Sequence, residues 1–163
     1  MRLTLECYIL LFFTGAFLGW VMEVVCKLIQ FGRFINRGFL IGPYCPIYGF
    51  GAVLVTALLT PFSASPPAVF VLAMAVCGTL EYLTSYAMEK LFHARWWDYS
   101  HRRFNLNGRV CAGTLIPFGL LGLGMVYVAR PVLFGLYLKL NNVLFQKYEL
   151  YYGYPMQSFS AMI

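Results

Sequence analysis

Charged side chains are scarce in this sequence of 163 residues. Asp, Glu, Lys and Arg make up only 11% of it, against about 25% in ordinary soluble domains. A soluble domain needs a charged surface, so this composition excludes one. Apolar residues account for 61% of the chain. Because apolar runs of about 20 residues span a bilayer, the composition predicts an integral membrane protein.

Acidic residues are scarcer still, with 6 Asp and Glu against 12 Lys and Arg, which gives a net charge of +6. The basic residues lie mostly in loops between apolar runs, where such residues set membrane topology. The sequence has no basic stretch interleaved with aromatic residues of the kind that binds nucleic acid. Nucleic acid is therefore excluded as a partner, and the lipid bilayer is the expected one.

Catalytic and cofactor motifs are also missing from the sequence. It has no G-x-x-x-x-G-K-S/T phosphate loop, no G-x-S-x-G elbow and no H-E-x-x-H helix. The cysteine count is odd and no two cysteines form a C-x-x-C pair, so they are interpreted as small buried apolar residues. We therefore predict no metal, no cofactor and no catalytic residue. The cysteines are Cys7, Cys26, Cys45, Cys77 and Cys111.

Four apolar runs predict transmembrane helices, at about residues 7–26, 47–60, 68–92 and 110–129. From 132 to 147, apolar residues recur every three or four positions, which predicts a helix lying in the membrane interface, with a fifth span as the alternative. The expected fold is all-α: a polytopic membrane helical bundle at 1–131, followed by an amphipathic interfacial helix and tail at 132–163.

Membrane topology follows from where the basic residues lie. The loops at 27–46 and 93–109 are rich in Lys and Arg, whereas the loop between them, "PFSASPP", has none. The positive-inside rule then predicts a multi-pass protein of the cell membrane whose two basic loops are cytoplasmic.

A polar site is predicted near the cytoplasmic ends of the first and third spans. Glu81, Ser85 and Glu89 are spaced to form one stripe on the third span. A charged side chain in the hydrocarbon costs about 2.5–3.5 kcal/mol, so such a carboxylate faces the bundle interior, is protonated or pairs with a cation. Arginines in "NRG" and "NGR" are the candidate partners. The predicted site comprises Glu23, Glu81, Ser85, Glu89, Asn36, Arg37, Asn107 and Arg109.

The stretch 38–51, "GFLIGPYCPIYGFG", concentrates glycine and proline between two apolar runs. Proline interrupts helical hydrogen bonding, and irregular backbone at membrane depth is viable only against protein or water. The stretch is interpreted either as a re-entrant element or as an ordinary loop that leads into a helix started by proline.

The loop at 93–109 has two interpretations. Arginine forks match phosphate, so Asp98, Arg102, Arg103 and Asn105 are candidates for contact with an anion or an anionic lipid headgroup. Alternatively, Asp98 is a neutralised surface charge in a loop whose aromatic residues mark the membrane interface.

The first and third spans also share a faint pattern. Each carries acids and leads into a basic loop containing Asn, Arg and Gly. A parallel repeat of two spans would produce this pattern, but chance similarity is the interpretation favoured by the sequence.

Four stretches of the sequence resemble a family of small bacterial membrane proteins called "putative ABC-transporter type IV". They are "GWVMEVV" at 19–25, "NRGFLIGPYCPIYGFG" at 36–51, "LEYLTSYAMEKLF" at 80–92 and "WWDYSHRRFNLNGRVC" at 96–111. The resemblance implies an all-helical bundle of the bacterial inner membrane and a permease-like transport component that works with a separate ATPase subunit. The alternatives are an intramembrane enzyme that binds or modifies lipid, and a structural or regulatory membrane protein.

Overall fold

The computed structural model describes residues 5–36, 38 and 42–152. Within them the chain is mostly helical, which confirms an all-α helical bundle. Arg37, which the sequence placed in the polar site, and part of the 38–51 stretch lie outside the described residues. The helices are α1 (Leu5–Phe31), α2 (Pro46–Leu59), α3 (Pro66–Phe92), α4 (Ala112–Gly124) and α5 (Arg130–Tyr152). A 3-10 turn (Thr60–Phe62), a π turn (Met125–Ala129) and a hairpin of β1 (Asn105–Leu106) and β2 (Val110–Cys111) complete the described elements.

Three helical segments are long and apolar enough to cross a membrane: Leu5–Phe31, Pro66–Phe92 and Ala112–Leu140. The expected second span corresponds to α2, which has 14 residues. Such a helix rises about 21 Å, short of a hydrocarbon core of about 30 Å. The third candidate segment runs past the boundary expected at 129. The helix continues there through Pro131, and directly before this proline the Arg130 N–H donates to the Met125 carbonyl in the π turn, so the hydrogen-bond register changes where the proline N–H is missing.

Proline also sets where two helices begin. Pro46 opens α2 and Pro66 opens α3, and in each case the residue before the proline is extended. This is the conformation that proline imposes on its predecessor, and proline itself is preorganised for a first helical turn. At its other end α3 stops at His93, whose φ of 52° is left-handed.

The hairpin of α1 and α2 is held by a close approach of small residues. A Cβ atom added to Gly15 would lie only 2.8 Å from the Cβ of Ala52, and one added to Gly19 would collide with the ring of Tyr48. The Cys45 backbone N–H donates to the Ala16 carbonyl at 3.0 Å. These contacts fix which face of α2 meets α1.

The hairpin of α3 and α4 packs in the same way, with Gly122 against Ala73. The main apolar core joins the two hairpins, because α2 and α3 contribute Val55, Leu59, Val69 and Ala73, and the π turn adds Val126. Many large apolar side chains on the helices face outward instead. An apolar exterior around a small core is what a bilayer-embedded bundle needs.

The chain divides into two units, Met1–Arg130 and Pro131–Ile163. The candidate site lies in the first unit. In the second, α5 exposes Val132, Leu136 and Leu140. Its assignment as an interfacial helix stays a prediction.

Candidate polar site and basic hairpin loop

Glu81 is buried in α3, with only 6% of its surface exposed. The Tyr99 hydroxyl donates to its Oε1 at 3.1 Å, and the Thr114 hydroxyl donates to its Oε2 at 3.2 Å. Burial raises the pKa of the Tyr99 hydroxyl, and the Glu81 carboxylate raises it further, so Tyr99 keeps its proton and remains a donor. Thr114 also reaches the Cys111 carbonyl at 2.8 Å, and its single proton serves one of these two acceptors at a time.

A second carboxylate–hydroxyl pair joins α1 to α2. The Tyr48 hydroxyl donates to Glu23 Oε1 at 2.7 Å. The charge of the Glu23 carboxylate acts on both Glu81 and Tyr99. The two pairs therefore belong to one group of side chains, which we call the polar cluster. Its members are Glu23, Tyr48, Glu81, Tyr99 and Thr114.

The polar cluster uses the same arrangement in both helical hairpins. In each, a carboxylate on the first helix meets a hydroxyl on the third residue of the second helix. Tyr48 stands three positions after Cys45, and Thr114 stands three positions after Cys111. Sequence reasoning missed all three hydroxyl residues of the cluster, and this shared spacing is a signal that could have found Tyr48 and Thr114.

Glu89 lies two helical turns beyond Glu81 and belongs to a separate ion-pair network. It pairs with the Arg109 guanidinium, and its Oε1 lies 3.1 Å from Arg95 Nε. The Arg109 guanidinium also lies over the rings of Tyr82 and Tyr86, at 5.6 and 5.4 Å from their centroids. Only 11% of the Arg109 side chain is exposed. The network attaches the hairpin loop to the C-terminal end of α3.

Asn107 and Gly108 form the turn of the β1–β2 hairpin. Their φ angles are 53° and 69°, and positive φ at both central residues is typical of a type I′ turn. The Arg109 N–H closes the turn by donating to the Leu106 carbonyl at 3.0 Å. The Asn107 amide donates to the Tyr82 hydroxyl at 2.9 Å, so this predicted site residue positions the turn.

Asp98 and Asn105 make their described contacts inside the loop. Asp98 accepts from the Ser100 hydroxyl at 2.6 Å and from the Ser100 N–H at 2.9 Å. The hydroxyl bond, followed by the N–H bond and the charge of Arg95, holds the pKa of Asp98 below its ordinary value. The Asn105 amide donates to the Arg102 carbonyl at 2.7 Å. These two candidates for anion contact therefore fix the loop backbone.

The remaining predicted residues are Asn36, Ser85, Arg102 and Arg103. Asn36 accepts from the Trp20 indole at 2.8 Å and from the Gly38 N–H at 3.0 Å, which positions the chain after α1. Ser85 is buried one helical turn beyond Glu81. Arg102 and Arg103 are exposed on the loop.

Three long apolar helices and a polar cluster built around the buried Glu81 define a membrane protein of the helical-bundle class. A family model described as "Putative ABC-transporter type IV" matches residues 10–153. The match covers most of the chain, so the chain belongs to this family, and the resemblance of the four sequence stretches is confirmed. No curated protein and no solved structure matches the chain.

Proposed function

We propose that the chain is a permease-like component of an ABC-type transport system and that the polar cluster is its intramembrane site. Family membership supports the class of function. The site is proposed because Glu81 is a buried carboxylate with the hydroxyls of Tyr99 and Thr114 within hydrogen-bond distance. Ionisable residues in membrane helices are costly and mark substrate, ion or proton paths by default.

The geometry of the cluster suits a component that changes shape. Its two carboxylates belong to different helical hairpins, Glu23 to the pair α1–α2 and Glu81 to the pair α3–α4. Movement of one hairpin against the other would change the distance between the carboxylates and the set of donors around them. A polar substrate or a proton would bind differently in the two arrangements, which is the requirement for alternating access.

Energy would come from a separate subunit, because the sequence contains no phosphate-loop motif of its own. The positive-inside rule supports placing the basic loops at 27–46 and 93–109 in the cytoplasm. We therefore place the docking face for the ATPase on that side of the bilayer.

The experiment uses sealed native membrane vesicles, with ATP supplied on the side that carries the ATPase. Untargeted mass spectrometry compares vesicle contents and lipids with and without ATP. We expect a solute or lipid that redistributes only with ATP, and we expect Glu81→Gln to abolish this. Glu6→Gln is the matched control, since it makes the same chemical change at an exposed position of α1. An ATP-dependent change that survives Glu81→Gln would contradict the site.

A structural role is the second candidate, because both oxygens of Glu81 are hydrogen-bonded to other elements. In that case Glu81→Leu should unfold the bundle, and replacing its hydroxyl partners by apolar residues as well should restore it. The lipid-modifying enzyme expected as an alternative makes a different prediction. The purified chain would then change a lipid without ATP or a partner.

A further inference from the structure

Two consecutive arginines stand out on the loop between α3 and α4. Arg102 and Arg103 are exposed, and throughout the described ranges neither guanidinium forms an ion pair. By contrast, Arg95 and Arg109 both form ion pairs with the carboxylate of Glu89. Arg102 and Arg103 are therefore exposed cations of the described loop that form no ion pair with its acid, Asp98, which lies beside Arg95 instead.

The residue that follows them is equally unusual. Phe104 is 86% exposed and has a φ of 54°, a backbone conformation that bulky residues rarely adopt. Its carbonyl accepts from the Ala112 N–H at 3.1 Å, and the Arg102 N–H donates to the Tyr99 carbonyl at 2.8 Å. The Asn105 amide adds a bond to the Arg102 carbonyl. These bonds hold the loop in a shape that directs an aromatic ring away from the protein.

The loop that carries Arg102, Arg103 and Phe104 lies at the end of two candidate membrane spans. The loop connects two segments long and apolar enough to cross the membrane, Pro66–Phe92 and Ala112–Leu140. Its residues therefore stand where the bilayer meets water. Leu106 is 58% exposed and Trp96 is 45% exposed. Basic residues beside aromatic and aliphatic ones are typical of the membrane interface.

We propose that Arg102, Arg103, Phe104 and Leu106 form a surface that binds anionic phospholipid. The two guanidinium groups bind headgroup phosphate, since their paired N–H donors match phosphate oxygens. Phe104 and Leu106 enter the boundary between headgroups and acyl chains. The charge favours lipid over a protein partner, because an anionic leaflet supplies negative charge beside both spans. Each arginine contributes about a five-fold preference for an anionic surface.

Fluorescence quenching tests this surface directly. The full chain is reconstituted into mixed phosphatidylcholine and phosphatidylglycerol vesicles, with bromine carried by only one of the two lipids. A Trp20→Phe background leaves Trp96 and Trp97 as the fluorophores, and both lie in the loop. Bromine quenches only nearby indoles, so the ratio of the two quenching efficiencies reports which lipid is enriched at the loop.

We expect stronger quenching by brominated phosphatidylglycerol than by brominated phosphatidylcholine at equal mole fraction. The double variant Arg102→Gln/Arg103→Gln should bring the two efficiencies together, while Arg102→Lys/Arg103→Lys should keep most of the preference. Arg33→Gln is the matched control, since it removes an exposed cation from the other basic loop. The preference of the parent should also fall as salt rises to about 1 M, where the Debye length is about 3 Å.

Equal quenching by the two lipids in the parent would overturn the proposal. A preference for phosphatidylglycerol that the double glutamine variant leaves unchanged would also overturn it. So would an equal loss of preference in Arg33→Gln, because that result would assign the preference to the overall charge of the protein and not to this surface. Loss of a bound protein subunit in the double variant, with lipid preference intact, would assign the surface to a protein partner instead. If the double variant does not fold, the single variants Arg102→Gln and Arg103→Gln are compared with Arg33→Gln, and each of the two should lower the preference more than the control does.

Discussion

The hydrogen bond from the Tyr99 hydroxyl to the Glu81 carboxylate should have a measurable free energy. Tyr99→Phe removes the donor and leaves the ring in place. The bond is 3.1 Å long and joins the loop to α3. Hydrogen bonds between membrane helices contribute about 0.6 kcal/mol on average and up to about 1.7 kcal/mol. We therefore expect Tyr99→Phe to lower the free energy of unfolding by about 0.6–1.7 kcal/mol, measured by denaturant titration in mixed micelles.

A double-mutant cycle separates this bond from other effects of the substitution. Tyr99→Phe is measured in the parent and in Glu81→Leu, and the coupling free energy should be about as large as the single effect. Tyr127→Phe is the control, because its hydroxyl donates to the Ser63 carbonyl at 2.8 Å rather than to the cluster. A cycle in which Tyr99→Phe and Glu81→Leu add within about 0.3–0.5 kcal/mol would refute the reasoning.

Three further predictions follow from the described contacts. Gly19→Leu places a side chain where the Tyr48 ring lies, and this overpacking should lower the free energy of unfolding by about 1–3 kcal/mol in the same titration. The Ser100 hydroxyl holds the pKa of Asp98 below its ordinary value, so the carboxylate stabilises the fold above about pH 4 and loses this effect as pH falls through the lower folded-state pKa. Thermal midpoints of Asp98→Asn and the parent should differ near neutral pH and converge in strong acid, whereas a constant difference would exclude titration of this group. Arg109→Gln breaks the ion pair to α3 and should speed amide hydrogen exchange in the β1–β2 hairpin, and unchanged protection there would show that the pair does not hold the loop.

The class of fold could be predicted from the sequence because membrane insertion depends on local hydropathy. A long apolar run predicts a spanning helix without reference to the rest of the chain, and both α1 and α3 were found this way. The end of the last candidate segment was not, because the fourth span was expected to end at about 129, whereas the segment continues to Leu140. A π turn at Met125–Ala129 precedes Pro131, and such a local change of hydrogen-bond register is not visible in the hydropathy of the sequence.

The polar cluster could be predicted only in part from the sequence, because helix packing determines which hydroxyl groups reach the carboxylates. Glu23 and Glu81 stand out as rare acids in apolar runs, whereas Tyr48 and Thr114 look ordinary at the starts of their helices. Which face of α2 meets α1 depends on the close approach at Gly15. That contact joins residues far apart in sequence, and periodicity within one helix does not reveal it.

In the basic loop, two residues that the sequence suggested for anion binding form local hydrogen bonds instead. Asp98 and Asn105 are residues that bind ligands, but they also hydrogen-bond to backbone a few positions away. The structure shows the local bonds. Within the part of the chain that the structure describes, the side chains of Arg102 and Arg103 form no such local bond, and the lipid proposal is therefore assigned to them.

The central claim is that this chain works as the membrane component of a transport system powered by another subunit. Native purification of the tagged chain from its own membranes in mild detergent, followed by mass spectrometry of the intact assembly, tests it most directly. The account predicts an ATPase subunit at fixed stoichiometry in the parent, retained in Glu81→Gln because that variant changes the site and leaves the fold intact. Recovery of the folded chain alone, or with only a bound lipid, would contradict it.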